Sequence, residues 1–233
     1  MIPSVFDSAQ SIGVSPWIVL DSLQWGDLTR GHTPRHYPKG HMVYYQEGAE
    51  GCIYLVKQGR VNISVINSQG QIHSLYVADK GCLFGANYGY QKSGIITQAR
   101  TTCDTEAYAI PWEEFQYRLA RYPSLMDNLV VTLVRKSQVL TYQIEQLTFY
   151  DSFTKVKNVL LALVDTYGQV EEGGVVIHMR FTHEEVTSMA SVSRVTVANV
   201  MSAMQKSGVL SRRKGRAYIR DLAALQNFRM AGH

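Results

Sequence analysis

The stretch FTHEEVTSMASVSRVTVANVMSAMQKSG, residues 181–208, decides how the rest of the chain is read. Thr182 followed three residues later by Glu185 is a capping box. The hydroxyl can accept from the Glu185 backbone N–H while the carboxylate reaches back to the N–H of Thr182, so a helix should begin at His183. Val186, Met189 and Ala190 recur at helical spacing and form its inner face. Ser191 and Val192 interrupt the pattern. Ser193 can then cap a second helix whose Val197, Val200, Met201 and Met204 fall on one face before Gly208 ends it. Two short helices joined by a tight turn have the spacing of a helix-turn-helix, whose second helix enters the major groove of double-stranded DNA with its N-terminal outward residues at the base edges.

Those outward residues are Ser193, Arg194, Val195, Thr196 and Asn199. Arg194 can pair with guanine O6 and N7 or grip a phosphate, Val195 can touch a thymine methyl, and Asn199 can bond an adenine edge. Thr196 can donate to a phosphate oxygen. An ordinary helical hairpin would show the same apolar spacing. The next segment, GVLSRRKGRAYIRDL, argues against that alternative, because it reads as two short strands turning at Lys214-Gly215 with Arg212, Arg213, Lys214, Arg216 and Arg220 gathered around the turn. A basic β-wing beside a helix-turn-helix supplies phosphate contacts, which fix position without reading sequence. Charge is distributed accordingly: of a net +4, the segment from Arg180 to Arg229 carries nine Lys or Arg against three acids, leaving the preceding chain slightly negative.

Upstream, SFTKVKNVLLALVDTYG reads as a helix closed by Gly168, followed by a loop QVEEGG and a strand VVIHMRF. Before it, no glycine occurs for more than forty residues after Pro123, and Met126, Val130, Leu133, Ser137, Leu140, Ile144 and Leu147 alternate steps of four and three. This is a coiled-coil seam on one long helix. The stripe would otherwise pack on the chain's own sheet domain, but a helix of this extent projects past a small domain, so a parallel homodimer is expected. Between His36 and about Tyr108, HMVYYQEG, GCIYLVKQG, RVNISVINSQG and QIHSLYVADKG are short runs punctuated by glycine, with turns at Gly40, Gly48, Gly59 and Gly81 and a hairpin at Asn67–Gly70. In RVNISVI, Val61, Ile63 and Val65 should line one face and Asn62, Ser64 and Ile66 the other. The expected fold is α+β: an N-terminal antiparallel β-roll of jelly-roll type (1–121), a long dimerisation helix (122–150) and a C-terminal winged helix-turn-helix (151–233).

The 233 residues, 45% of them apolar, suffice for two cores. No apolar run approaches the roughly 18 residues of a membrane span. The opening MIPSVFDSAQ lacks the basic-then-apolar order of a signal peptide, so a cytoplasmic protein with no membrane partner is expected. Cys52, Cys82 and Cys103 are too scattered for a disulfide framework or a zinc pair and read as reduced, mostly buried residues.

With the β-roll, the long helix and the wing in this order, the chain resembles the cyclic-AMP receptor protein and FNR family of bacterial transcription regulators. The likeness lies in IYLVKQGRVNI, GCLFG and FTHEEVTSMASVSRVTVANVM and spans nearly the whole chain. It implies a roll like a cyclic-nucleotide-binding domain, an effector-responsive homodimer on a palindromic site, and activation through RNA polymerase. The family's usual turn glycine is Ser191 here. Where the cyclic-AMP branch often reads bases with Glu and Arg, this chain has Val195 and Asn199, so half-sites richer in A and T are expected.

The loop GCLFGANYGYQKSG, residues 81–94, carries the effector question. In the cyclic-nucleotide branch the loop after FG supplies a ribose glutamate and then an Arg-Ser pair for the phosphate. Here those places hold Ala86 and Ser93-Gly94, and Arg100 belongs to the following strand, so cyclic AMP would lose its charge partner. No cysteine precedes Cys52 to hold an iron–sulfur cluster, and LFGANYG offers Gly85 and Asn87 where carbon-monoxide sensors place haem ligands, so no cofactor is expected. A small aromatic effector fits better: Tyr76, Tyr88 and Tyr90 can stack on a ring, and Lys92 or Lys136 can favour an ionised hydroxyl. The combination of Tyr76, Lys136 and VTV resembles the regulators of reductive dehalogenation, which respond to halogenated phenols. Gly85, Ala86, Asn87 and, on the long helix, Leu140 complete the candidate set. The rival classes are a cupin-like metal enzyme, suggested by His32, His36, His41 and His73 but without the HxH spacing such sites want, and a regulator needing no effector.

Overall fold

The computed structural model describes residues 14–45, 51–85, 97–171 and 173–229. They divide into two compact units. One is Trp17–Thr141; the other runs from Tyr142 onward and takes in residues 14–16.

The first unit contains, in chain order, β1 (Trp17–Ile18), α1 (Gly26–Thr29), β2 (Arg35–Tyr37), β3 (Met42–Tyr44), β4 (Cys52–Gln58), β5 (Val61–Ile66), β6 (Ile72–Ala78), β7 (Leu83–Phe84), β8 (Gln98–Thr101), β9 (Thr105–Pro111), α2 (Trp112–Arg121) and most of α3 (Pro123–Phe149). The strands make two sheets, ordered β1-β6-β5-β8-β3 and β2-β9-β4-β7. All pairings are antiparallel except β1 with β6. The hairpin at Asn67 forms as its sequence predicts: the Asn67 carboxamide oxygen accepts from the N–H groups of Gln69 and Gln71, and Gly70 takes the positive φ that closes the turn.

The alternation expected in β5 fails at its middle. Ile63 pairs with Tyr76 but Ser64 pairs with Ser74, so Leu75 is an extra residue in β6 and the register slips. Ser64 is buried, whereas Val65 is only half-buried. Beneath the second sheet, Trp25 and Leu28 meet Ile53, Leu55, Leu83 and Ile110, closed off by Phe115 and Leu119 of α2 and by Leu125. The Trp25 indole N–H donates to the Gly81 carbonyl at 2.9 Å, which satisfies its one polar atom inside that core. Cys82 is buried, but Cys52 and Cys103 are half-buried, so only one of the three thiols is as enclosed as expected.

α3 runs for 27 residues, about 40 Å at the usual rise. Its inner side buries Leu125, Thr132 and Val139, while Met126, Val130, Leu133, Leu140, Ile144 and Leu147 are each 40–65% exposed in the single chain.

The second unit contains the end of α3, α4 (Ser152–Tyr167), β10 (Gly168–Glu171), β11 (Gly174–Ile177), α5 (His183–Ala190), α6 (Arg194–Lys206), β12 (Leu210–Arg213), β13 (Arg216–Ile219) and α7 (Leu222–Gln226). Asp151 caps α4 by accepting from the Thr154 N–H at 2.7 Å. Gly168 ends α4 with an ordinary φ of −73°. It is glycine for space: a Cβ there would stand 2.3 Å from the Val164 carbonyl oxygen. QVEEGG does not form the loop expected of it, because Gly168–Glu171 pairs antiparallel with Gly174–Ile177. That hairpin extends the wing into a sheet ordered β10-β11-β13-β12. Val156, Leu160, Leu163, Val176, Ile177, Val186, Val197, Met204, Leu210, Ile219 and Leu225 are buried in this unit.

Candidate nucleic-acid interface and effector site

The helix pair forms as its caps dictate. The Glu185 carboxylate accepts from the Thr182 N–H at 2.6 Å while the Thr182 hydroxyl accepts from the Glu185 N–H at 3.1 Å. Ser191 then takes the left-handed conformation, φ 52° and ψ 47°, and turns the chain into α6. Ser193 caps α6, accepting from the Thr196 N–H at 3.0 Å, and the two hydroxyls lie 2.8 Å apart. These hydroxyls therefore brace the start of α6 as well as facing outward. Val186, Met189 and Ala190 on α5 and Val197, Val200, Met201 and Met204 on α6 are buried, as the spacing requires. The opposite face presents Ser193, Arg194, Val195 and Asn199, with Thr196 half-buried. Val195 is 68% exposed, an apolar side chain in water at the tip of a helix. Arg194 reaches Glu184 at 3.4 Å, with both side chains about three-quarters exposed. Such a pair contributes only about 0–1 kcal/mol and exchanges easily for a base or phosphate.

The wing turns at Lys214 and Gly215, both at positive φ, the two-residue turn that fits a right-twisted hairpin. Arg212, Arg213 and Lys214 are exposed; Arg216 is half-buried. The Arg213 guanidinium lies 3.9 Å over the Tyr218 ring, and the Tyr218 hydroxyl donates to the Gly173 carbonyl. Arg216 donates from Nη1 to Nδ1 of His178 at 2.7 Å. Tyr218 and His178, which hold these arginines, were not singled out by the sequence; each is an isolated aromatic whose neighbours only the strand register reveals.

In the first unit, a set of aromatic rings bridges the sheets. Tyr54 stacks on Phe84 with centroids 5.1 Å apart, and Tyr44 stands 6.1 Å from Tyr54 and 6.3 Å from Phe84. The Tyr44 hydroxyl lies 3.3 Å from that of Thr97. Burial raises the Tyr44 and Tyr76 phenols well above the ordinary tyrosine range. Burial pushes the Cys82 thiol up to about 11, against a smaller downward pull from Lys136. The Lys136 ammonium, carried in by α3, stands 5.5 Å from the Tyr76 ring centroid. It has no hydrogen-bond or ion-pair partner among the described residues, and burial lowers its pKa below the usual lysine value. Gly85 stands beside the stack at φ 85°, where a Cβ would lie 2.8 Å from the Tyr54 ring. A charged donor over an aromatic face, with no carboxylate paired to it among the described residues, has the chemistry to accept a small anion.

A Crp-like helix-turn-helix domain matches residues 154–228, and a cyclic nucleotide-binding domain matches residues 34–122. The chain belongs to the Crp/Fnr family of transcription regulators. It is similar to the cyclic AMP receptor protein of Thermus thermophilus, at 27% identity over 82% of this chain and 86% of the relative. Among solved structures it is similar to a CooA mutant from Carboxydothermus hydrogenoformans, with a TM-score of 0.74 at 21% identity over 85% of this chain and 88% of that one. It is also similar to CprK complexed with OCPA, with a TM-score of 0.71 at 15% identity over 91% and 96% of the two chains. Crp/Fnr regulators bind DNA and act as homodimers; the matched families and relatives are regulators rather than enzymes.

For a Crp/Fnr chain, the described effector candidates are unevenly placed. Tyr76 and Lys136 come together and Gly85 borders the Tyr54–Phe84 stack, whereas Leu140, one turn beyond Lys136, stands 40% exposed on the outer stripe of α3. Ala86, Asn87, Tyr88, Tyr90 and Lys92 lie outside the described residues. Arg100 is exposed on β8, the strand expected for it from the sequence. Tyr44, Tyr54 and Phe84 join the site through strand pairing, and Cys82 and Thr97 stand immediately before β7 and β8; the only signal in the sequence for the three rings was the aromatic density of the strands. Among the described residues no cluster of three or more His, Cys, Asp or Glu is arranged to hold a metal, and no helix is long and apolar enough to cross a membrane.

Proposed function

We propose that this regulator responds to a small phenolic or other weakly acidic aromatic compound rather than to cyclic AMP, and that the effector seats against Tyr76 with its ionised oxygen toward Lys136. The observation that carries this reading is Lys136 itself: an ammonium 5.5 Å from an aromatic ring, without a described carboxylate, whose charge burial disfavours. An anion there would relieve that penalty. The Thermus relative is named for cyclic AMP, but the places where the cyclic-nucleotide branch holds ribose and phosphate are Ala86 and Ser93-Gly94 in this chain.

The chain then acts as a parallel homodimer through the outer stripe of α3. Effector binding shifts the population toward the pairing of α3 that suits the operator, because only differential affinity for two states can move the equilibrium. Two-fold symmetry makes the operator palindromic, with half-sites about one helical turn apart. Val195 and Asn199 favour half-sites rich in A and T, since valine meets the thymine methyl and asparagine an adenine edge. Activation through RNA polymerase is what the family implies. Isothermal titration of the whole protein with a chlorinated hydroxyphenyl acid, with unsubstituted phenylacetic acid and with cyclic AMP tests the assignment. Saturable heat from the phenol alone is expected; saturable heat from cyclic AMP alone would replace the phenolic reading with a nucleotide one.

A further inference from the structure

Arg213 and Arg216 stand directly opposite each other in the register of β12 and β13. Like charges facing across a hairpin repel, so each guanidinium needs something to draw it aside. Arg213 has the Tyr218 ring. Arg216 has His178: the pairing of Val175 with Ile219 and Val176 with Tyr218, continued by two residues, brings His178 opposite Arg216. The contact is short, 2.7 Å from Nη1 to Nδ1. An arginine only donates, so Nδ1 must be the ring's acceptor and the ring proton sits on Nε2. That side of the ring faces the Glu171 carboxylate at 3.4 Å. Glu171 on β10, His178 after β11 and Arg216 on β13 thus stand in one line across three strands; the carboxylate makes no hydrogen bond to Nε2, but its charge favours a proton on that side of the ring, the tautomer that the arginine requires.

We propose that His178 is a positioning residue for DNA binding: it holds the Arg216 guanidinium at the wing with one N–H engaged and the others directed to a phosphate. Arg212 and Lys214, exposed on the same turn, must lose their full rotamer freedom on binding, whereas Arg216 has lost part of it beforehand. The assignment rests on the DNA-binding reading of the wing.

The test uses a random-sequence duplex, because phosphate contacts are independent of sequence, and measures affinity and its salt dependence for four whole proteins. His178→Phe keeps the ring's bulk and removes the acceptor. His178→Asn returns an oxygen to the place of Nδ1, and His178→Gln places it near Nε2 instead. We expect His178→Phe and His178→Gln to bind about three- to tenfold more weakly at low salt, the range of one weakened charge-assisted contact. Their log–log salt slopes should be shallower by up to about 0.9, the value of one phosphate contact. His178→Asn should recover most of the affinity and slope, although all three keep the thermal midpoint within about 2 °C of one another. Asn and Phe variants that bind alike, while the unaltered protein binds with a steep salt slope, would overturn the role of His178 alone. Failure of the unaltered protein to bind any duplex would overturn the DNA-binding reading and this assignment with it.

Discussion

Val195 and Lys136 are the single side chains on which the proposed base preference and the proposed effector turn. Val195 is 68% exposed at the first turn of α6, where the proposed contact with DNA would cover it. Replacing it with glutamate substitutes an acceptor for a methyl contact. Val195→Glu should move base preference from thymine toward cytosine at one position of each half-site, by about 1–3 kcal/mol, as selection from random duplexes would reveal. Lys136 is the converse case, a half-buried residue whose charge is carried against an aromatic ring. Its folded pKa lies below the unfolded value, so between the two the unfolded chain binds more protons and stability rises as pH rises. Lys136→Met should therefore raise the thermal midpoint at pH 7, by about 2–4 °C for each kcal/mol relieved, while removing the response to a phenolic acid. A midpoint that falls would mean that the ammonium has a partner that stabilises it.

Helix α3 was legible in the sequence because steps of four and three sustained from Met126 to Leu147 have one physical reading, and those residues do form one exposed stripe. The caps of α5 and α6 were legible for a similar reason, since Thr182, Glu185 and Ser193 act within a single turn. Elements that depend on partners distant in sequence were not. The slip in β5 originates in Leu75 of β6, β10 is a short polar strand that exists only by pairing with β11, and Tyr44 meets Phe84 only once two sheets have formed. Helix α2 was not singled out either, although its Phe115 and Leu119 follow helical spacing, because its ten residues continue directly from β9 in a segment read as the end of the roll. Two predictions belong to these elements. Leu133→Glu with Ile144→Glu, on exposed positions that a single chain tolerates, should yield a folded monomer by light scattering; an unchanged dimer mass would place the interface elsewhere. On α2, Arg118 above all, with His32, holds the Glu114 carboxylate below its usual range. Its stabilisation is complete above the unfolded carboxylate value, roughly pH 4.3, and is lost as pH falls through the lower folded value. Glu114→Gln should therefore have a lower thermal midpoint than the parent at pH 7, and that gap should narrow below about pH 4.

At the scale of the molecule, the chain joins two separately cored units that carry different chemistry. The first buries aromatic rings and sets beside them the Lys136 ammonium, which has no partner among the described residues; the second concentrates nine Lys or Arg against three acids between Arg180 and Arg229. In the proposed reading the first takes a small aromatic anion and the second a polyanion, and α3 belongs to both, supplying Lys136 to one and the residues from Tyr142 onward to the other. The most direct test of that coupling is fluorescence anisotropy of a labelled duplex from the chain's own upstream region, titrated with the whole protein at several salt concentrations, with and without a chlorinated hydroxyphenyl acid. The account predicts tight, salt-sensitive binding that requires the compound and is not restored by cyclic AMP. Equal affinity with and without the compound would contradict it.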